Sequence, residues 1–340
     1  MKHVNIPIFI PHLGCPNQCV FCNQRSISGV LKFDSNKLES IINDSLLTIP
    51  KDYDVEIAFF GGSFTGIERS QMISMLEVAY KYIQDRRVSH IRCSTRPDYI
   101  DFEILDTLKR YGVKVIELGL QSSSNHVLSA TKRGHDFSSE KIACKMIVDN
   151  GFDLVGQMMI GLPNSTIEDE ENTARFIINS GAKYARIYPT VVFKGTELCE
   201  LTEKGMYTPL SLDDAIDRSA RVCKIFNDAG VDVIRIGLCA SENLSSDTTY
   251  YAGPNHPAIG ELVENKIYFE IIKEKLHNIS FCSDDTVKVN VAPGCLSKAI
   301  GQKKKNKFLL MQTYDVKDIK FGESDDVSLY EVSIVVERNK

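Results

Sequence analysis

Apolar and polar positions along this 340-residue chain switch repeatedly between two periods. β-rich runs predict strands near residues 4–11, 54–60, 90–95, 114–120, 152–160 and 184–193. Between them, three- and four-residue spacings predict helices near 35–48, 68–85, 101–111, 138–150 and 166–180. The segment 69–84 carries Met72, Met75, Leu76, Ala79 and Ile83 on one face and Arg, Gln and Lys opposite, as a helix lying on a core does. Asp101 and Ser138 stand where N-caps belong. Gly112 and Gly151 follow two helices, where a left-handed residue closes the last turn.

Six β-then-α units in a row imply a parallel sheet with right-handed crossovers. Chemically loaded residues recur after successive strands: Cys15 to Cys22 after the first, Gly61-Gly62-Ser63 after the second, Ser94-Thr95-Arg96 after the third, Gln121 after the fourth. In a barrel these strand ends share one mouth, whereas a doubly wound sheet concentrates its site at one switch point. The expected fold class is α/β, a partial (β/α)6 barrel of the TIM type spanning 1–240, which includes a further helix at 212–229 and a strand-like run at 231–238. From 241 a polar, turn-rich stretch leads into a helix at 259–276 and β-rich runs near 286–291, 308–314 and 329–337. These form a small C-terminal α/β extension over 241–340.

The formal net charge of -5 gives no global attraction to nucleic acid or to an anionic membrane. No apolar run reaches the roughly 18 residues needed to span a bilayer. The N-terminal apolar stretch is interrupted by Pro7, Pro11 and His12 with no small-residue cleavage site after it, so no signal peptide is expected and the cytoplasm is the default. In a reducing compartment, ten cysteines point to metal binding or chemistry where they cluster. Only Cys15, Cys19 and Cys22 do.

Their spacing is C-x3-C-x2-C. Three thiolates from one loop can hold three irons of a [4Fe–4S] cluster, which usually takes four, and leave the fourth iron open. An open iron can bind the amino and carboxylate groups of S-adenosylmethionine (SAM) and pass an electron to its sulfonium, yielding methionine and a 5′-deoxyadenosyl radical. Phe21, just before the last cysteine, is placed to exclude water and pack on adenine. Zinc is the rival reading, with His12 or a distant cysteine as fourth ligand. A redox pair of Cys19 and Cys22 is another, and leaves Cys15 unexplained.

Three further segments are candidate cofactor contacts. Gly61, Gly62 and Ser63, in FFGGSF, allow close backbone approach to a methionyl amine, or simply a tight turn. Ser94, Thr95 and Arg96 offer hydroxyl and guanidinium groups to ribose or carboxylate. Gly161, in GQMMIGLPNST, suits a turn beside adenine, and so does an ordinary structural turn.

In order along residues 10–200, PNQCVFCNQ, FFGGSFTGI, STRPDYID, VIELGLQS followed by TKRGH, MMIGLPNST and IYPTVVFKGTEL resemble the radical SAM proteins related to the catalytic subunit of Elongator, the tRNA wobble-uridine modifying enzyme. The resemblance implies a partial β/α barrel, a [4Fe–4S] cluster on Cys15, Cys19 and Cys22, and SAM at the barrel mouth. About 100 residues follow the barrel, too few for the acetyltransferase domain of that family, and Cys239, Cys282 and Cys295 lack the spacing of its zinc linker. The expectation is a short relative with no use for acetyl-CoA.

Cys93, Cys144, Cys199, Cys223, Cys239, Cys282 and Cys295 show no paired spacing and read as core residues. Glu117, Gln121 and Tyr188, with Arg186, lie on or just after inner strands. If they point inward they face a substrate, with Tyr188 as a relay for a hydrogen atom or electron, and Gln121 also as a cofactor contact. Lys303, Lys304, Lys305 and Lys307 form one basic run, a candidate for RNA phosphate or an ordinary solvated loop. The expected activity is reductive cleavage of SAM and hydrogen abstraction, with a tRNA nucleobase as the leading substrate and a flavodoxin- or ferredoxin-type reductant as partner. Oxygen-independent coproporphyrinogen oxidase-like chemistry and a non-catalytic iron–sulfur or haem carrier are the alternatives.

Overall fold

The computed structural model describes residues 2–11, 13–16, 19–23, 33–238, 249–277 and 279–338. The chain divides into two compact units, one of residues 1–211 and 225–255, the other of 212–224 and 256–340.

The first unit alternates strands and helices: β1 (His3–Ile10), α1 (Leu38–Thr48), β2 (Asp54–Gly61), α2 (Arg69–Gln84), β3 (His90–Thr95), α3 (Phe102–Arg110), β4 (Val113–Gln121), α4 (Asn125–Ala130), α5 (Phe137–Asp149), β5 (Asp153–Ile160), α6 (Ile167–Asn179) and β6 (Tyr184–Pro189). A short β7 (Val192–Phe193) and α7 (Glu197–Glu203) follow, then α8 (Leu212–Asp228), whose first part belongs to the other unit, β8 (Asp232–Ile236) and β9 (Tyr250–Ala252). The sheet order is β1-β2-β3-β4-β5-β6-β8, every pairing parallel, a curled half-barrel. The seventh strand is the 231–238 run, so the sheet has one strand more than six β/α units supply.

Gly156 fixes which face is which. A Cβ there would lie 2.4 Å from Ile177 Cγ2, so α6 packs directly on that side of β5. By alternation, Leu154, Met158 and Ile160 share the helix-covered face, and Val155, Gln157 and Met159 point to the concave side. The register carries this across the sheet, aligning Glu117 with Val155 and Tyr184, Gln157 with Gly119 and Arg186, and Tyr188 with Met159.

Asp101 caps α3 through Ile104 N at 2.7 Å, and Gly112 and Gly151 take φ of +74° and +84°. The cap of α5 is Asp136, not Ser138; its carboxylate accepts from Ser139 N at 2.9 Å.

The second unit holds α9 (Ile259–Leu276), β10 (Thr286–Val291), α10 (Leu296–Ile300), α11 (Lys305–Tyr314), β11 (Asp318–Glu323) and β12 (Val332–Glu337), with sheet order β11-β10-β12. Its core gathers Tyr268, Ile272, Val287, Val289 and Ile319. The run at 308–314 is helix, not strand. Leu, Met, Gln and Lys are strong helix formers, and a short mixed run carries no decisive period. The unit's third strand is β11, a stretch whose Gly322 and charged residues gave no strand signal.

Candidate functional site

The cysteine loop leaves β1 by a backbone-on-backbone contact. Gly14 takes φ +75°, and a Cβ on it would fall 2.1 Å from Ser63 O. A Cβ on Gly66 would fall 2.3 Å from Gly14 O. Only glycine fits either place. Ser63 N donates to Leu13 O at 2.9 Å and Gly62 N to Ile10 O at 2.8 Å, tying the loop to the end of β2. Gly61 (φ +107°) lets the two strand ends close, since its Cβ would meet Ile10 backbone atoms at 2.8 Å. Downstream, Val20 N donates to Thr131 O, Leu198 N donates to Val20 O, and Cys22 N donates to Cys19 O. Val20 is buried with Val192, Leu198 and Cys199, and Phe21 packs on that apolar cluster. His12 and residues 17–18 lie outside the described residues.

Cys19 is buried, while Cys15 and Cys22 are partly open. Two buried guanidinium groups address the loop. Arg133 Nη1 donates to Cys19 Sγ at 3.1 Å and its Nη2 to Gly119 O at 2.5 Å; Arg96 Nη1 lies 3.9 Å from the same sulfur. Arg96 is held by a two-point pair with Asp98 (2.9 Å each), by Arg133 O and by His135. His135 in turn meets Glu140 at 3.1 Å. Burial pushes the Glu140 carboxyl up to about 7 against the pull of His135. Burial also pushes the Cys15 thiol up, with Arg96 and Arg133 opposing it.

This donor set suits an iron–sulfur cluster. In such a cluster each thiolate binds its own iron. A thiolate-bound cluster is also anionic, and the two buried arginines beside Cys19 would offset that charge. Cys15, Cys19 and Cys22 are the residues that would hold the cluster. Bound together, cluster and SAM supply the 5′-deoxyadenosyl radical. The chain's own contribution is to orient the thiols, shield Cys19 and furnish positive charge.

The candidate SAM contacts divide. Ser63 and Thr95 are buried with their hydroxyls bonded to each other at 2.9 Å, and Thr65 joins Thr95 at 2.5 Å, so these groups pin β2 to β3. Both backbone groups of Gly161 have protein partners: its N donates to Glu170 at 2.7 Å, and its O accepts from Tyr207 at 2.6 Å. Ser94 faces the concave side beside Glu117. Gln121 is buried in the left-handed region (φ +73°) where the β4–β5 register slips, and its Nε2 lies 3.0 Å from where a Gly119 Cβ would stand.

Glu117, Arg186 and Tyr188 all face the concave side. Arg186 Nε meets Glu117 Oε2 at 3.0 Å, its Nη1 donates to Tyr188 Oη at 3.2 Å, and its guanidinium lies over the Phe60 ring at 5.2 Å. Burial raises the Glu117 carboxyl, with Arg186 and Arg92 opposing it. Burial likewise raises the Tyr188 hydroxyl.

Sequence reasoning passed over Arg133 although it lies inside the TKRGH string; no local pattern says that its guanidinium reaches a cysteine 114 positions earlier. Glu56, Arg92 and Arg235 were also missed, because strand parity is not readable from these runs. Of the unclustered cysteines, Cys93, Cys144, Cys199, Cys223 and Cys295 are buried as expected, and burial pushes Cys93 and Cys144 up to about 12. Cys282 is exposed, contrary to expectation, and Cys239 lies outside the described residues. In the basic run, Lys307 pairs with Asp318 at 2.7 Å, and Lys303 and Lys304 take left-handed conformations ahead of α11.

Residues 9–177 match the Radical SAM superfamily and residues 182–268 the Radical_SAM C-terminal domain. An uncharacterized protein of Methanocaldococcus jannaschii is 30% identical over 62% of this chain and 67% of its own length. The tRNA uridine(34) acetyltransferase of Methanocaldococcus infernus is 32% identical over 36% of the chain and 24% of its own length. Elongator complex protein 3 of Homo sapiens is 29% identical over 55% and 35% respectively. The chain thus spans only about a quarter to a third of those two relatives. A solved structure of Elongator protein 3 from M. infernus, with its N-terminus deleted, superposes with TM-score 0.62 at 21% identity, covering 81% of this chain and 64% of that one, which shows the shared fold. The chain belongs to the radical SAM superfamily, as an enzyme that uses a [4Fe–4S] cluster and SAM, and is homologous to the Elongator catalytic subunit over about half its length.

Proposed function

We propose that this enzyme reductively cleaves SAM at a cluster held by Cys15, Cys19 and Cys22 and directs the resulting radical at a nucleobase of tRNA. The observation that carries the reading is the polar row on the concave sheet face, Ser94, Glu117, Gln157, Arg186 and Tyr188, in which Gln157 stands in register with Gly119, the residue whose carbonyl Arg133 ties to Cys19. A polar aromatic base with several donors and acceptors suits that lining better than an apolar substrate does. The tRNA uridine(34) acetyltransferase of M. infernus, a relative that by its name acts on tRNA uridine, points the same way. In this reading Tyr188 relays a hydrogen atom or electron, Gln121 holds cofactor or base, and a flavodoxin- or ferredoxin-type protein of the cytoplasm supplies the electron. Among the described residues no helix is long and apolar enough to cross a membrane.

The test is anaerobic. The cluster is reconstituted, dithionite and SAM are added, and 5′-deoxyadenosine is quantified for the wild type and for Cys19→Ala, with and without total tRNA. Product from the wild type alone, raised by tRNA, is expected. Product that tRNA leaves unchanged removes the RNA reading, and equal product from Cys19→Ala removes the cluster assignment. Tyr188→Phe is expected to preserve deoxyadenosine formation while slowing conversion of the RNA.

A further inference from the structure

The concave face of the half-barrel carries charges that pair off in order. Glu56 takes Arg92, with Arg92 Nε 2.8 Å from Glu56 Oε1, and also meets His90 at 2.9 Å. Glu117 takes Arg186 at 3.0 Å. One strand further on, Arg235 stands in register with Arg186. It is half-buried, and its Nε donates to Gly237 O at 3.1 Å. No carboxylate lies within ion-pair distance of it among the described residues. Among the described residues neither terminal nitrogen of its guanidinium has a hydrogen-bond or ion-pair partner. Among the described residues the row therefore ends on a positive charge with no carboxylate partner, next to a second arginine and to Tyr188, whose hydroxyl Arg186 already orients.

We infer that Arg235, with Tyr188 and Arg186 beside it, forms a subsite for an oxyanion of the substrate, a phosphate or a carboxylate. Guanidinium groups present paired N–H donors that match the two oxygens of such a group. A half-buried guanidinium with no carboxylate partner keeps donors available, and a bound anion would supply its counter-charge. Position separates this subsite from the cofactor. Gly119, tied through Arg133 to Cys19, lies three strands from β8, roughly 14 Å along the sheet at ~4.8 Å per strand. In the proposed reaction the methionyl carboxylate would sit at the cluster's open iron, so an anion at Arg235 would come from a second molecule. The inference rests on the radical reading only for the word substrate; the anion site itself does not depend on it.

Equilibrium dialysis with the full, anaerobically reconstituted chain tests it, using uridine, uridine 5′-monophosphate and a uridine carrying a carboxylate on the base. Wild type is expected to bind at least one anionic probe about tenfold tighter than uridine, and Arg235→Gln to abolish that preference while SAM binding stays unchanged. Preference for the monophosphate identifies phosphate as the recognised group; preference for the carboxylated base identifies carboxylate. Arg235→Lys, which keeps the charge, is expected to restore part of the preference, so that a loss caused by misfolding is distinguished. Equal binding of all three probes, no binding of any, or a preference that survives in Arg235→Gln overturns the subsite. So does a parallel loss of SAM affinity, which would assign Arg235 to the cofactor. Because dialysis measures no radical chemistry, an anion preference found in a protein that forms no deoxyadenosine would leave this subsite standing while the proposed reaction fell.

Discussion

Arg133 donates a hydrogen bond to the sulfur of Cys19 at 3.1 Å while both are buried. A guanidinium against a cluster ligand stabilises the more negative, reduced state over the oxidised one, since hydrogen bonds and charge at the sulfurs set cluster potentials. Arg133→Met is therefore expected to lower the cluster's reduction potential by on the order of 59 mV, a tenfold change in the reduced fraction at fixed poise for one electron. Arg133→Lys should recover part of it. A potentiometric titration followed by electron paramagnetic resonance measures this, and an unchanged midpoint with full iron content would show that the contact has no electronic role.

Gly14 and Gly66 meet backbone to backbone at the root of the same loop. Gly14→Ala places a methyl group against Ser63 O and forces a left-handed residue to carry a side chain, a strain of about 1–2 kcal/mol before any clash. The expected outcome is incomplete iron loading after reconstitution, with the rest of the fold retained. Iron per chain and a far-ultraviolet circular dichroism melt separate the two. Full loading with normal SAM affinity would mean that the loop has another path.

The cysteine loop and the succession of strands and helices were legible in the sequence because both are local: three thiols within eight residues, and β-rich runs separated by three- and four-residue spacings. The inner row was not. Glu117, Arg186 and Tyr188 were visible as polar residues in strands, but which face they take depends on Gly156 meeting Ile177, a contact between a strand and the helix after it. Arg133 and Cys19 are joined only by the fold, and Arg235 lies on a strand whose alternation is too weak to orient it. Residues 308–314 misled for the opposite reason: an apolar run that short reads equally as strand or helix.

Glu56 predicts an acid-sensitive fold. Burial alone would push its carboxyl up, but the hydrogen bond from His90 and the Arg92 guanidinium, with His3 beyond them, outweigh it and hold the group at about 2 against an ordinary 4.5. A depressed carboxylate stabilises the folded state fully above the unfolded pKa, and that stability is lost as pH falls through the folded one. The window is therefore pH 4.5 down to about 2, and the contribution is roughly 3 kcal/mol at 1.36 kcal/mol per unit. Urea midpoints across that range should fall steeply for the wild type. Glu56→Gln should be less stable at neutral pH, because Arg92 loses its partner in a buried site, and its midpoints should vary less through the window. Parallel curves for the two proteins would remove Glu56 as the source.

Gln121 combines two costs at one position. Its backbone is left-handed, and its buried Oε1 accepts no hydrogen bond among the described residues. A non-glycine residue there costs about 1–2 kcal/mol, and an unsatisfied buried acceptor costs a further 1–3 kcal/mol or so. Such costs persist where the surroundings impose them, often at functional sites. Two substitutions separate backbone from side chain. Gln121→Ala removes the amide and keeps the strain; Gln121→Gly removes both. The glycine variant is expected to be more stable than the alanine variant by about 1 kcal/mol in urea unfolding, while both lose deoxyadenosine formation to the same extent if the amide holds cofactor or base. Equal stability of the two would mean that the left-handed backbone is not strained. Full activity in both would leave the amide without a role at the site, and the slip in register between β4 and β5 would then be a matter of packing alone.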